Sequence, residues 1–159
     1  MNLKTVIIVI ISMLLIFTGY KLINNPEKQI RKIIFKIQEE LTLTPSDNIV
    51  LKSKSILRLA DNFSKDFKGN FEGEFESHAI DNAQALKETI SWVVVSMAPI
   101  NSTLIFQSIK IEKKEANIIL KASINSCKNA EFNNKTYIFN ISLKKINSTW
   151  KISKVVQEK

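Results

Sequence analysis

The chain has 159 residues, enough for one domain of ordinary size. Hydrophobic residues make up 45% and charged residues 24%, so the composition excludes a disordered tail and a multispan membrane protein. A single Cys excludes an internal disulfide framework and a zinc site built from several thiolates, and a single His excludes a multi-His metal site. We therefore expect neither a bound metal nor a cofactor.

The basic charge does not indicate a nucleic-acid-binding protein. Lys and Arg total 23 against 15 acidic residues, but only Arg31 and Arg58 are arginines, the residue that best makes bidentate contacts to phosphate and guanine. The charge is also segmented, because an acidic stretch over residues 61–100 separates two basic flanks. That arrangement is typical of a solvated surface and not of a continuous phosphate-binding track, so no nucleic acid is expected as a partner.

The amino-terminal segment has the composition of a membrane anchor. Sixteen uncharged residues, TVIIVIISMLLIFTGY, separate Lys4 from Lys21. As a helix they would span roughly 24 Å, and Leu22 and Ile23 extend them toward the ~30 Å of a bilayer core. The alternative is a cleaved signal peptide, but no pair of small residues at cleavage spacing precedes a cut near residue 20. We predict an uncleaved anchor within residues 1–23, with residues 5–23 in the bilayer, followed by one domain over residues 24–159.

The orientation in the membrane rests on two opposing signals. The positive-inside rule would keep the domain in the cytoplasm, because the basic residues concentrate after the apolar run. An apolar run that begins at residue 5 behind one lysine has the layout of an export signal, and a long domain can be translocated despite its charge. We expect an extracytoplasmic, periplasmic domain, with the cytoplasmic side as the alternative; Cys127 is compatible with either.

The first part of the domain reads as two amphipathic helices. Pro26 suits a helix start, with Asn24 or Asn25 as the cap. The apolar stripe of this first helix is Ile30, Ile33, Ile34, Ile37 and Leu41. A break at residues 42–45 precedes a second helix, capped by Ser46 or Asp47. Its predicted apolar stripe is Val50, Ile56, Leu57, Ala60 and Phe63.

The next segment predicts a turn and an acidic strand. Residues 68–70 read as a turn, and residues 71–78 as a strand with Glu72, Glu74, Glu76 and His78 on one face. Such a ladder has a metal-binding interpretation, but alternate side chains on one strand lie ~6.5–7 Å apart and metal cages usually recruit other segments too. A solvated acidic edge is the favoured interpretation.

A third helix and a block of strands complete the predicted domain. Asp81 three residues before Gln84 suggests a capping box, and Pro99 ends the helix. The buried stripe of this helix is predicted as Leu86, Ile90, Val93, Val94 and Met97. The period then changes from 3.6 to 2 and predicts four long antiparallel strands. Their apolar runs are Ile105–Ile111, Ile118–Ile124, Tyr137–Leu143 and Trp150–Val156, with turns at residues 113–116 and 147–148.

This order of elements, together with the closing strand Trp–Lys–Ile–Ser–Lys–Val–Val at residues 150–156, resembles the nuclear transport factor 2-like superfamily of ketosteroid isomerase-like and SnoaL-like domains. The resemblance covers about residues 27–157. It implies an α+β fold in which three helices pack on a curved antiparallel sheet and enclose a conical pocket. It also implies that an enzyme of this fold would carry a tuned Asp or His at the pocket wall.

The candidate acid/base or ligand-binding residues are His78, Asp81 and Asp61. His78 shares its predicted face with three carboxylates, which would be costly to bury, and Asp81 is explained as a helix cap. The strand faces assigned to the pocket are apolar, so we expect the domain not to be an enzyme. Trp150 on the last strand is expected to be buried in the core.

The remaining hypotheses concern binding. Several members of the superfamily combine a short amino terminus, one membrane helix and a periplasmic domain, which favours a scaffold that docks another envelope protein or a second copy. The predicted partner-binding surface is the outer face of the long strands, with a basic patch formed by Lys110, Lys121, Lys144 and Lys154. The alternative is a small apolar ligand bound in the cone and, less favoured, an isomerase or dehydratase.

Overall fold

A computed structural model describes residues 25–43, 49–71, 78–96, 98–126 and 135–158. Several predictions lie outside these residues: the anchor and its boundary at residue 23, the caps Asn24, Ser46 and Asp47, the three glutamates of residues 72–76, Met97 and Cys127. Within the part of the chain that is described, no helix combines the length and the apolar character required to cross a membrane.

The domain is built on a six-stranded mixed sheet in the order β2-β1-β6-β5-β4-β3. The strands are β1 (Phe63–Phe71), β2 (His78–Ile80), β3 (Ile100–Glu112), β4 (Glu115–Ser126), β5 (Lys135–Ile146) and β6 (Thr149–Glu158). The four long strands β3–β6 form an antiparallel meander, as predicted. The sheet is mixed and not purely antiparallel, because β1 runs parallel to β6 and pairs antiparallel with β2.

Helix α1 (Pro26–Leu43) begins and packs as the sequence predicts. The side-chain oxygen of Asn25 accepts hydrogen bonds from the backbone N–H groups of Glu27 (3.0 Å) and Lys28 (3.3 Å), which confirms Asn25 as the cap. The predicted stripe faces the sheet, with Ile30 and Ile34 fully buried. Near the end of the helix, Thr42 donates a 2.8 Å hydrogen bond to the carbonyl oxygen of Ile100, which fixes α1 against β3.

Helix α2 (Ile49–Ala60) forms, and its predicted stripe is correct only in part: Ile56, Ala60 and Phe63 pack against the core, but Val50 and Leu57 do not. Val50 and Leu57 are 63% and 65% exposed, whereas Ser55 and Leu59 are buried. The segment carries apolar residues around the whole cylinder, so periodicity alone does not select a face. Ser55, a polar residue that the predicted stripe omitted, therefore lies on the side that packs.

The structure corrects the predicted helix end and turn after α2. Asn62 donates hydrogen bonds to the carbonyl oxygens of Arg58 (2.8 Å) and Leu59 (3.3 Å) and so ends the helix before Phe63, which opens β1. Gly69, predicted in a turn, lies inside β1 without a positive φ. A Cβ at Gly69 would lie 2.9 Å from the Phe71 ring, so packing and not chain reversal requires glycine there.

The single acidic strand predicted over residues 71–78 is wrong. Phe71 ends β1 and His78 begins β2, and the two residues are antiparallel cross-strand partners. Cross-strand partners belong to different strands, so Phe71 and His78 cannot continue one straight ladder.

Helix α3 (Ala83–Ser96) starts from a different cap than predicted. The Asn82 side-chain oxygen accepts a 2.8 Å hydrogen bond from the backbone N–H of Ala85, whereas the Asp81 side chain accepts a 2.7 Å hydrogen bond from the Asn82 amide and, among the described residues, none from the first turn of α3. The Asp81–Gln84 capping box is therefore incorrect. The buried side chains of α3 are Leu86, Ile90 and Val94, all of them predicted.

Two β-bulges correct the predicted strand faces. The register shifts between Phe106 and Ser108 in β3, and beside Ser153 in β6. An extra residue at a bulge exchanges the two faces of a strand. The inward-facing positions therefore pass from Phe106 to Ile109, and from Ile152 to Val155, whereas strict alternation grouped Ile105 with Ile109 and Val156 with Ile152.

Helices and sheet enclose one main hydrophobic core. Its buried members are Ile30, Ile34, Leu59, Phe67, Ile80, Leu86, Ile90, Val94, Ala116, Ile118, Leu120, Ile141, Leu143, Trp150, Ile152 and Val155. Trp150 is 2% exposed, which confirms its predicted burial. The space between the helices and the inner face of the sheet is thus occupied by aliphatic and aromatic side chains.

Candidate functional site

The three predicted acid/base residues do not converge on one site. Asp61 precedes β1, whereas His78 lies opposite the far end of β1, so about eight residues of strand, roughly 25 Å, separate them. Asp81 follows β2 directly and its side chain is exposed. The described part of the chain contains no group of three His, Cys, Asp or Glu residues arranged to hold a metal ion.

The outer face of the sheet brings the predicted lysines onto one surface. The burial of Ala116, Ile118, Leu120 and Ala122 fixes the inner face of β4, so their neighbours Asn117 and Lys121 point outward. The register carries this assignment across the sheet: Lys110 pairs with Asn117, Asn117 with Ser142, and Ser142 with Lys154.

The four lysines surround the centre of this face and do not cluster. Lys110 and Lys154 stand in one row, three strand spacings or about 14 Å apart. Lys121 lies two rows away, beside Ile105 and Ile138.

Lys144 forms an ion pair with Asp66 on β1. The Lys144 hydrogen bond, together with one from the backbone of Asp66, lowers the pKa of the Asp66 carboxyl below its usual value of 3.8. Lys144 is thus partly neutralised by a fixed anion.

An apolar row that the sequence interpretation missed crosses the outer face. Ile105, Ile119, Ile138 and Val156 are diagonal neighbours on β3, β4, β5 and β6. Diagonal partners on adjacent strands lie ~7–8 Å apart, within reach of long side chains. We call these four residues the apolar stripe; Ile105 is 53% exposed and the other three are half-buried.

Polar side chains and a shallow cleft border the apolar stripe. Ser142 donates a 2.9 Å hydrogen bond to the Asn117 side-chain oxygen, and Asn140 donates one to Glu158. A cleft of about 360 Å³ lies beside this network. Its lining includes Ser108, Lys110, Asn117, Ile119, Asn140 and Ser142.

The signal for the stripe was present in the sequence. Leu104–Phe106, Ile118–Leu120 and Tyr137–Phe139 are runs of three consecutive apolar residues in a strand, and Val155–Val156 is a run of two. Side chains alternate between the faces of a strand, so each run must place one apolar residue outward.

A second cleft, of about 380 Å³, lies at the end of the domain where α1 begins. Its lining includes the exposed Asp61 and three lysines, Lys32, Lys36 and Lys151. Lys151 donates a hydrogen bond to the backbone carbonyl oxygen of Asp61. A cleft with three lysines is better suited to binding an anion than to proton transfer by Asp61.

Comparison with known proteins bears on the fold. No family model matches the chain, and no curated protein is recognisably similar to it in sequence. Solved structures do match. A cystatin-like protein of unknown function from Nostoc punctiforme is 12% identical with a TM-score of 0.64, covering 85% of this chain and 91% of that one.

Two further solved structures align with the chain over most of its length. A nuclear transport factor 2-like protein of unknown function from Shewanella oneidensis is 10% identical with a TM-score of 0.60, covering 84% of this chain and 99% of its own. The domain has a nuclear transport factor 2-like fold. A proposed scytalone dehydratase from Novosphingobium aromaticivorans also aligns, at 15% identity and a TM-score of 0.60 over 89% and 87% of the two chains. At these identities the likeness establishes the nuclear transport factor 2-like fold and not an activity.

Proposed function

We propose that this nuclear transport factor 2-like domain is a non-catalytic docking module of the bacterial cell envelope. In this proposal residues 5–23 tether it to the membrane, the domain lies on the periplasmic side, and the outer face of the sheet binds an envelope protein or a second copy. Mass spectrometry of the membrane-extracted protein checks the tether, since a mature amino terminus near residue 20–25 would show cleavage.

The observation that carries the proposal is the apolar stripe. It places four aliphatic side chains across the centre of a sheet face whose surroundings are polar and charged. Protein interfaces commonly have such an anatomy, with an apolar centre and a polar, solvent-accessible rim. Lys110, Lys121 and Lys154 stand around the stripe and supply cationic rim groups that favour a partner with acidic residues around its own apolar patch.

The filled core supports a binding role over catalysis or ligand capture in the cone. Among the described residues, the buried polar side chains are Ser55, Asn62 and Ser64, and none of them is an acid or base near neutral pH. General acid–base chemistry requires a titratable group beside the reacting atoms, and among the described candidates Asp61 and Asp81 are exposed. A dehydratase-like activity, suggested by one structural neighbour, would need a residue that the described core does not supply.

Site-specific photo-crosslinking in intact cells tests the docking surface. A photoreactive residue at position 105 is expected to give one discrete adduct, and the same probe at Lys113, in the β3–β4 turn, is the control. Ile138→Lys should abolish the adduct, whereas Thr103→Lys, which adds the same charge on an exposed residue of the same face, should preserve it.

The outcomes separate the hypotheses. An adduct whose mass is twice that of the chain identifies self-association, and another mass identifies a different protein. Equal labelling at positions 105 and 113, in a folded and abundant protein, would contradict docking through this face. A folded, abundant His78→Ala variant that loses all cellular function would instead support an enzyme.

A further inference from the structure

The cleft beside the start of α1, here named the lysine cleft, has a composition that the docking proposal does not use. It lies at one end of the domain and is lined by residues of α1, the α2–β1 junction and the beginning of β6. Its charged lining residues are Lys32, Lys36, Lys151 and Asp61. The lining therefore carries three lysines and one carboxylate, a formal excess of two positive charges.

Helix α1 and strand β6 supply these cations. Lys32 and Lys36 are one helical turn apart on α1 and thus project from the same side; neither forms an ion pair within the described residues. The hydrogen bond from Lys151 to the carbonyl oxygen of Asp61 positions the third ammonium group at the rim. An ammonium group has three N–H donors, so two donors of Lys151 remain for a ligand.

Hydroxyl groups and an aromatic wall complete the lysine cleft. Ser148 and Thr149, in the β5–β6 turn and at the start of β6, line it with hydroxyl donors. Trp150 forms an apolar part of the wall. Ammonium and hydroxyl donors around a small concavity are the groups that bind the oxygens of a phosphate.

We propose that the lysine cleft binds a phosphate group carried by a small organic molecule or by a lipid headgroup. Its volume of about 380 Å³ is near the lower end of ligand pockets, which are typically ~300–1,000 Å³. Asp61 repels such an anion and limits affinity, so its charge is itself a test of the site. The proposal does not depend on the docking surface, because no residue of the apolar stripe lines the cleft.

The position of the cleft explains why a headgroup is one source of the ligand. Helix α1 begins at Pro26, three residues after the apolar segment that ends at Ile23. Lys32 is six residues into α1, about 9 Å along its axis. If residues 5–23 lie in a bilayer, the lysine cleft lies within reach of its anionic headgroups. A soluble phosphomonoester would meet the same donors.

The test uses the full chain purified in a neutral detergent. Two probes are titrated separately and binding is measured by isothermal titration calorimetry: glycerol phosphate in solution, and phosphatidic acid incorporated in the micelles. Lys32→Gln and Lys151→Gln should each weaken binding about tenfold, because each removes a charge-assisted contact. Lys110→Gln, at a lysine that does not line the cleft, should leave the affinity unchanged, and Asp61→Asn should strengthen binding.

Each outcome decides the proposal. Binding of both probes, or of one, with the expected variant pattern supports the site; binding of phosphatidic acid alone identifies a lipid headgroup, and of glycerol phosphate alone a soluble ligand. No binding of either probe overturns the proposal. Equal weakening by Lys110→Gln and Lys32→Gln also overturns it, because the attraction would then be unspecific. Circular dichroism melting identifies a variant that fails to fold, and the exposed Lys32 provides the test if Lys151→Gln is unstable.

Discussion

Trp150→Ala should destabilise the domain strongly, because this indole closes the core between β6 and the helices. A buried Trp removes about 150–250 Å² from water, worth roughly 4–6 kcal/mol at ~25 cal/mol per Å². The indole N–H has no hydrogen-bond partner among the described residues, so its removal returns part of that free energy. The expected loss is about 3–5 kcal/mol in the free energy of unfolding.

Urea unfolding of the full chain, followed by circular dichroism, measures this loss. Trp92→Ala is the matched control, because Trp92 is 45% exposed and its removal should cost less. Trp150→Phe keeps an aromatic ring and removes the unpartnered N–H, so it should retain most of the stability. A loss below about 1 kcal/mol for Trp150→Ala would refute the assigned role of β6 in closing the core.

Two further predictions concern local electrostatics and capping. Asn82→Ala should lower the free energy of unfolding by about 1 kcal/mol, because it removes the α3 cap. Asp81→Ala should change it by no more than ~0.5 kcal/mol. If urea unfolding shows the larger loss for Asp81→Ala, then Asp81 is the cap after all. The lowered pKa of Asp66 means that its pair with Lys144 stabilises the fold above pH 3.8 and loses that effect as the pH falls through the lowered value. Melting temperatures of wild type and Asp66→Asn should therefore converge in acid, and a constant difference would contradict the pairing.

Local signals in the sequence determined much of the fold. The Asn25 cap, the stripes of α1 and α3 and the period-2 alternation of the last four strands each depend on residues close in the chain. The β5–β6 turn at Asn147–Ser148 is of the same kind, since both residues have the positive φ of a tight hairpin. The structure contains these predicted features because no long-range contact opposes them.

The functional residues were foreseen only in part. The four lysines were predicted as one basic patch; the register places them on one face of the sheet, but their separation and the Lys144–Asp66 pair depend on strand spacing and on β1. Asp61 was selected as a candidate acid, and its place in the lysine cleft depends on α1 and β6, which meet it only in the folded chain.

Tertiary structure decided the rest, because the competing local signals were nearly balanced. Residues 63–71 combine helix-like, turn-like and strand-like features, and pairing with the distant β6 makes them a strand whose Gly69 must fit between aromatic rings. The bulges beside Phe106 and at Ser153 likewise follow from packing a curved sheet on the helices. By itself the sequence determined which segments are apolar and how apolar and polar residues alternate in them. Long-range strand pairing determined which apolar residues enter the core and which form the apolar stripe on the outer face of the sheet.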